Sequence, residues 1–289
     1  LVVFTKQTPF VRRYFAVSEI PELTAGRPIV SGSNKQYKEL RKAAAPGGIK
    51  KTSRTLFSGV KIISELIASR PDQAEELIIY DSYATQDPLM LSVIDWFDSR
   101  NRLVLTKKSL FNDLDTAGSR QPLCVASVPE IGPFRKQDGK TDTMIALPFQ
   151  DPVNTGTVIR SAAAFGLDAV MLTGESAHPF HTRSIRASAG TVFTARLYGG
   201  PFLHDLPDFC SENGFTPVTL DAAGTPLDEY RFPERFILIP GVEGPGLPEA
   251  LKHLSVSVPI SPGVESLNAA VSASVVMYEF YKRKLRTGI

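Results

Sequence analysis

The chain has 289 residues, 43% hydrophobic and 21% charged, with a net charge of +2, a balance that excludes a wholly disordered chain and leaves room for one large domain or two ordinary ones. No apolar run approaches the ~20 residues a membrane-spanning helix needs, and Lys6 and Thr8 break the apolar core a secretory signal would require. Cys124 and Cys210 stand far apart without CxxC spacing, so neither a zinc site nor a disulfide framework is expected, and the chain reads as cytosolic.

Residues 1–28 have no clean periodicity and read as an extension. Tyr37–Ala45 then reads as a short polar helix stopped by Pro46-Gly47-Gly48, and Phe57, Val60, Ile63 and Ile67 as a helical apolar stripe. A strand at Leu77–Tyr80, a helix at Leu89–Phe97 and strands at Leu103–Leu105 and Leu123–Val128 complete a small α/β unit over 29–131. Residues 132–142, rich in charge with Gly and Pro, read as a linker.

The alternation then resumes over 143–289. Strands are expected at Met144–Leu147, Ala169–Leu172, Thr216–Leu220, Phe236–Ile239 and Val256–Val258. Helices are expected at Thr155–Phe165, closed by Gly166, at Ser184–Ala189, at Phe202–Asn213, closed by Gly214, and at Ser266–Lys284. Leu267, Val271, Val275 and Tyr278 form the apolar face of the last helix. The fold class is therefore α/β, a mostly parallel sheet with helices on both faces following a smaller α/β unit.

Charge is unevenly placed. Between Arg12 and Lys61 lie Arg12, Arg13, Arg27, Lys35, Lys38, Arg41, Lys42, Lys50, Lys51, Arg54 and Lys61 against Glu19, Glu22 and Glu39, a local net charge of +8 that would attract a polyanion such as RNA. His178, His181, His204 and His253 have no ligand spacing, and no metal is expected.

Ligands of parallel sheets sit at the carboxyl ends of the strands, and three such ends concentrate Gly, Asn, Ser, Glu and Arg. After the strand at 144–147 comes Asp151-Pro152-Val153-Asn154-Thr155-Gly156-Thr157-Val158-Ile159-Arg160, where Asn154 suits a helix N-cap and Gly156 permits close approach. After the strand at 236–239 comes Gly241-Val242-Glu243-Gly244-Pro245-Gly246-Leu247, with one carboxylate inside a glycine-rich loop. Its spacing fits neither the dinucleotide fingerprint nor a P-loop. Finally Val258-Pro259-Ile260-Ser261-Pro262-Gly263-Val264-Glu265 runs into Ser266-Leu267-Asn268, where Ser266 would cap the last helix and Asn268 lie in its first turn. Each segment alone also reads as a cap or a tight turn.

Taken in order, the three segments resemble the SpoU (TrmH-like) class of the SPOUT methyltransferases, whose pattern is Asn-x-Gly-x-x-x-Arg, Gly-x-Glu-Gly-x-Gly-Leu and Ser-Leu-Asn. Arg186-Ala187-Ser188-Ala189-Gly190 is similar to the family's short Ser-x-Gly segment, and the likeness covers about 144–284. The resemblance implies a deep C-terminal trefoil knot, one of the rare exceptions to unknotted topology. It implies S-adenosylmethionine as methyl donor, held through Gly241, Val258 and Leu267, with Ile260, Thr173 and Gly174 as further contacts. Val258 stands where many relatives have Ile.

The implied reaction is methyl transfer to an RNA ribose 2′-hydroxyl, with S-adenosylhomocysteine as product. Arg160 is expected to stabilise the developing alkoxide, and Asn154, Glu243, Ser266 and Asn268 to orient it and the ribose. A homodimer is implied too. The 29–131 unit resembles a ribosomal-protein-L30e-like substrate-binding domain, which with the basic stretch points to rRNA rather than tRNA. A tRNA 2′-O-methyltransferase and a non-catalytic RNA-binding protein on the same scaffold are the competing readings; a small-molecule enzyme with a dinucleotide fold is disfavoured by the missing GxGxxG.

Overall fold

The computed structural model describes residues 26–136, 140–241, 251 and 255–287. The first unit contains β1 (Arg27–Ile29), α1 (Lys35–Ala44), α2 (Gly48–Thr52), β2 (Arg54–Ser58), α3 (Val60–Ser69), β3 (Ala74–Tyr80), α4 (Pro88–Asp98), β4 (Leu103–Thr106), α5 (Lys108–Leu114) and β5 (Leu123–Ser127). Its sheet order is β1-β4-β3-β5-β2, with β1, β4 and β3 parallel and β5 antiparallel to both its neighbours. Period-two alternation decides which side chains face which layer. Leu56, Ile78, Val104 and Val125 pack with Ile29, Tyr37 and Phe111 on one side, while Phe57, Leu77, Ile79, Leu103 and Cys124 face the other.

Three readings of this unit change. β1 pairs with β4 and buries Ile29, so the ordered unit starts inside the expected extension. Phe57 belongs to strand β2, and the helix begins only at Val60; Gly59, at φ 121°, makes the break between them. α2 and α5, too short to show periodicity, are additional elements.

The second unit contains β6 (Thr143–Leu147), α6 (Pro152–Ala164), β7 (Ala169–Leu172), α7 (Thr182–Ala187), β8 (Leu197–Gly199), α8 (Leu206–Asn213), β9 (Thr216–Pro226), β10 (Phe236–Ile239), β11 (Ser255–Ser257) and α9 (Ala269–Thr287). Short 3-10 turns occupy Thr191–Phe193 and Leu203–Asp205. All six strands are parallel in the order β11-β9-β10-β6-β7-β8. Helices end where the glycines stand: after α6, Gly166 at φ 66° lets its own N–H reach the Ala163 carbonyl and that of Leu167 the Ala162 carbonyl. Gly214, at φ 70°, closes α8 in the same way.

The expected linker is partly packed. Phe134 is buried against Tyr198, Phe209 and Phe215, and Gly132 accepts a hydrogen bond from the Gly199 N–H. The two units also share one apolar layer: Ile145, Leu147, Val170 and Leu238 lie in the same cluster as Phe57, Leu77 and Trp96. Their seam is pinned by polar bonds. Thr55 Oγ1 donates to the Phe180 carbonyl at 2.8 Å and Thr182 Oγ1 to the Leu56 carbonyl at 2.7 Å, beside the Phe57–Phe193 and Phe180–Phe193 ring contacts.

The last helix departs from expectation in orientation. Ala270, Ala273, Val276 and Met277 are its buried residues, while Val271 (48% exposed), Val275 and Tyr278 (52%) face outward. No helix among the described residues is long and apolar enough to cross a membrane.

Candidate active site

Between β6 and β10 the winding of the sheet reverses, because β7 and β8 lie on one side of β6 and β10 and β9 on the other. Such a switch point opens a crevice at the carboxyl ends of the strands. The segments leaving that edge are Pro148–Asp151 after β6, Thr173 onward after β7, and Pro240-Gly241 after β10.

α6 starts at this edge. Its N-cap is Asp151, whose side chain accepts from the Val153 N–H at 3.3 Å, with Pro152 at the first helical position. Asn154 is therefore inside the first turn and not the cap, and Arg160 lies nine residues beyond the cap instead of six. Gly156 has a packing reason: a Cβ there would sit 2.3 Å from the Ser184 carbonyl oxygen and 2.9 Å from Ala187 Cβ. The close approach it permits is that of α7, where the buried Ser184 hydroxyl donates to the Pro152 carbonyl at 2.7 Å. The Arg186–Gly190 segment folds behind this contact, with Ala189 (φ 50°) and Gly190 (φ 87°) in left-handed conformations.

α9 meets the start of α6 from the other side. Asn268 is its N-cap: Oδ1 accepts from the N–H groups of Ala270 at 2.9 Å and Val271 at 3.3 Å. The same amide donates through Nδ2 to Asn154 Oδ1 at 3.3 Å, joining two sequence segments 114 residues apart. Two turns along, the Ser274 hydroxyl bonds Ser161 at 2.9 Å. Asn154 and Ser161, seven residues apart, thus share the stripe of α6 that faces α9. Ser266, expected to cap α9, stays exposed ahead of it.

Arg160 is exposed and has no hydrogen-bond or ion-pair partner among the described residues. It stands six residues after Asn154 and one before Ser161, so on α6 it lies off the stripe that carries those two toward α9. Glu243, with the rest of residues 242–250, lies outside the described residues, so the first of the two loops expected to form the knot is not described, while the second, at 258–268, is.

The expected donor-site residues divide into two kinds. Thr173 is buried, its N–H donates to the Leu147 carbonyl at 3.2 Å, and its hydroxyl lies between that carbonyl, also at 3.2 Å, and the Glu175 carboxylate; Gly174 N–H donates to Pro201, and its Cα lies against the Phe202 ring. These two shape the edge rather than offer free donors. Beside them, burial pushes the Glu175 carboxyl up, and hydrogen bonds from Thr173 and the Leu203 N–H outweigh it, leaving the group below its ordinary value. Val258, Ile260 and Leu267 make no backbone hydrogen bond with the described residues, and Ile260 and Leu267 carry exposed apolar side chains. Unspent main-chain groups next to apolar side chains suit a nucleoside with an amino-acid tail joined through sulfur, so this set fits S-adenosylmethionine. Among the described residues no group of His, Cys, Asp and Glu is placed to hold a metal ion.

Asp151 and its partner Arg183, whose guanidinium lies 3.4 Å from Asp151 Oδ1, are the site residues that the sequence reading passed over. The Asp-Pro pair was the available signal, since Pro is pre-organised for the first position of a helix.

Comparison with known proteins agrees with this architecture. Residues 143–278 match the SpoU rRNA Methylase family. The chain is 37% identical over 262 residues, 90% of its length, to the "Ribosomal RNA small subunit methyltransferase G 2" of Syntrophobacter fumaroxidans, of which it spans only half. It is 27% identical over 259 residues to the Bacillus subtilis 23S rRNA (guanosine(2553)-2′-O)-methyltransferase RlmP, covering 87% of this chain and 98% of that one. The SpoU methyltransferase AviRb from Streptomyces viridochromogenes, crystallised with AdoMet, has the same fold at a TM-score of 0.72 and 19% identity, covering 87% and 98% of the two chains. By sequence match, with a sheet order in keeping, residues 143–278 form a domain of the SpoU methylase family.

Proposed function

We propose that this protein transfers a methyl group from S-adenosylmethionine to a ribose 2′-hydroxyl of ribosomal RNA. The observation that carries the reading is the Asn268–Asn154 bond, which brings the first and last family segments together at the carboxyl edge of the sheet. The full-length likeness to an rRNA 2′-O-methyltransferase supports the ribose and the rRNA. S-adenosylmethionine, when bound, supplies an electrophilic methyl on sulfonium.

The protein's own residues have two tasks, to position the ribose and to favour its alkoxide. Asn268 fixes the amide plane of Asn154, so Asn154 presents its remaining NH₂ in a set direction at the start of α6. Arg160, unspent on any described neighbour, is available to the 2′-oxygen or an adjacent phosphate, where its guanidinium offsets the charge that develops. Ser266 and Glu243 belong to the same machinery by family position. Gly241, Val258, Ile260 and Leu267 hold the donor through main-chain groups, with Thr173 and Gly174 shaping the floor.

The outward stripe of α9 is the proposed homodimer face. Leu267, Val271, Val275 and Tyr278, with Val153 and Val264 nearby in the site segments, are exposed apolar residues around the Asn154–Asn268 pair. Dimerisation there covers them and brings a second chain to the site. Residues 29–131 serve as the RNA-binding unit and 143–289 as the catalytic one, in a cytoplasmic enzyme that uses no metal. Replacing Arg160 by Ala tests the core of this reading. Methyl transfer to rRNA should be lost while calorimetry still shows S-adenosylmethionine binding; near-normal turnover would remove Arg160 from its role.

A further inference from the structure

The +8 stretch is not uniformly available for a polyanion. Arg27 pairs with Glu76, Lys42 with Glu39 and Arg54 with Glu75, each at 2.7 Å. Lys50, in α2, is exposed and pairs with no described residue. α2 runs directly into β2, and β2 is the strand whose Thr55 and Leu56 bond Phe180 and Thr182 across the seam. Lys50 therefore stands beside the 178–183 segment of the second unit, close enough for its charge to act on His178.

That segment is built to donate. His178 Nδ1 accepts from the Phe180 N–H and His181 Nδ1 from the Arg183 N–H, both at 3.2 Å. With Nδ1 so occupied, the neutral ring carries its proton on Nε2, which is left as a donor. Burial holds both histidines below their ordinary value; Lys50 adds to this at His178 and Arg183 at His181, where Asp151 partly offsets it. Both rings are therefore neutral donors near neutral pH. Arg183 is 60% exposed, and its contact to Asp151, the N-cap of the helix that carries Asn154 and Arg160, is 3.4 Å, longer than the 2.7 Å pairs of Arg27, Lys42 and Arg54, which leaves its guanidinium N–H groups for a phosphate; Arg186, one turn on, is exposed as well.

We propose that Lys50, His178, His181 and Arg183 form a continuous track for the RNA phosphate backbone, leading from the first unit across the seam to the N-terminus of α6. A strand laid on it reaches the Asn154–Asn268 pair with its flanking phosphates already fixed. Each cation neutralises one phosphate and each imidazole N–H donates to a phosphate oxygen, which positions the strand without reading its bases. The inference rests on the RNA-methyltransferase reading and adds to it the route of the substrate.

A 30-nucleotide polyuridylate is the probe, because it offers phosphates without a target sequence. Its affinity is measured as a function of salt for wild type, Lys50→Gln/Arg183→Gln, Lys50→Gln/Arg183→Lys and the control Arg231→Gln/Arg286→Gln, two exposed cations outside the RNA-binding unit. Loss of two phosphate contacts lowers the salt slope by about 1.4 and the affinity at 0.1 M salt roughly 25-fold. Arg183→Lys should recover half of the slope, and the control should leave it unchanged. A wild-type slope in Lys50→Gln/Arg183→Gln, or an equal fall in the control, overturns the track. S-adenosylmethionine affinity, read by calorimetry in each variant, shows whether α6 has kept its place. Absence of rRNA methylation by the wild-type protein would count against the enzymatic reading, while the salt slopes decide the track separately.

Discussion

Gly156→Ala is a sharp test of how the site is held. The added Cβ would meet the Ser184 carbonyl oxygen at 2.3 Å, its carbon at 2.9 Å and Ala187 Cβ at 2.9 Å. Two of those atoms are backbone, so no rotamer change relieves the clash and α7 must retreat by on the order of 1 Å. Retreat stretches the bond from the buried Ser184 hydroxyl to Pro152, which stands at 2.7 Å. Overpacking costs about 1–3 kcal/mol and the weakened buried bond about 1–3 kcal/mol, against a helix-propensity gain near 1 kcal/mol for Ala over Gly. The net loss is about 1–5 kcal/mol, which corresponds to a fall in Tm of roughly 2–20 °C. Gly132→Ala is the control, since a Cβ there meets nothing within 4 Å. Thermal unfolding of the two variants beside wild type measures the difference, and methyl transfer below the transition should fall in Gly156→Ala as Asn154 shifts against Asn268. A Gly156→Ala protein as stable as wild type would refute the account of this glycine.

Two variants of Asn268 separate its roles. Asn268→Ala loses the helix cap and should cost about 1 kcal/mol, whereas Asn268→Asp keeps the cap oxygen but loses the Nδ2 donor to Asn154. Asn268→Asp should therefore hold stability while methyl transfer falls; equal activity in Asn268→Asp and wild type would show that the Asn–Asn bond is idle. Val271→Glu places a charge on the exposed stripe of α9, where a monomer tolerates it within about 0.5 kcal/mol. Sedimentation velocity should show a dimer in the wild type and a monomer in the variant, and an intact Val271→Glu dimer would move the interface elsewhere.

Much of this protein was legible in one dimension. Runs such as Met144–Leu147, Ala169–Leu172 and Phe236–Ile239 are buried on both faces and read as strands because every position is apolar. Gly166 and Gly214 marked helix ends because a left-handed residue is needed there and glycine supplies it without strain. The order and spacing of the Asn154, Gly241 and Ser266 segments carried the family, since those spacings are a property of the chain.

What required tertiary structure was every question about which surface faces which. The apolar residues of α9 fall on two stripes; periodicity marked Val271, Val275 and Tyr278, yet Ala270, Ala273, Val276 and Met277 are buried, because small residues allow α9 to lie close on α6. The capping roles shifted by a few residues, to Asp151 and Asn268, because Asp, Asn and Ser are chemically equivalent caps and only the chain path chooses between them. Gly156 looked like room for a ligand and is room for the Ser184 backbone. The sequence by itself determined the longer elements and the family likeness of the second unit, which follow from local periodicity and residue type. The seam that sets Lys50 beside His178, and the amide pair that joins α6 to α9, depend on residues more than a hundred positions apart, and only the packed chain could bring them together.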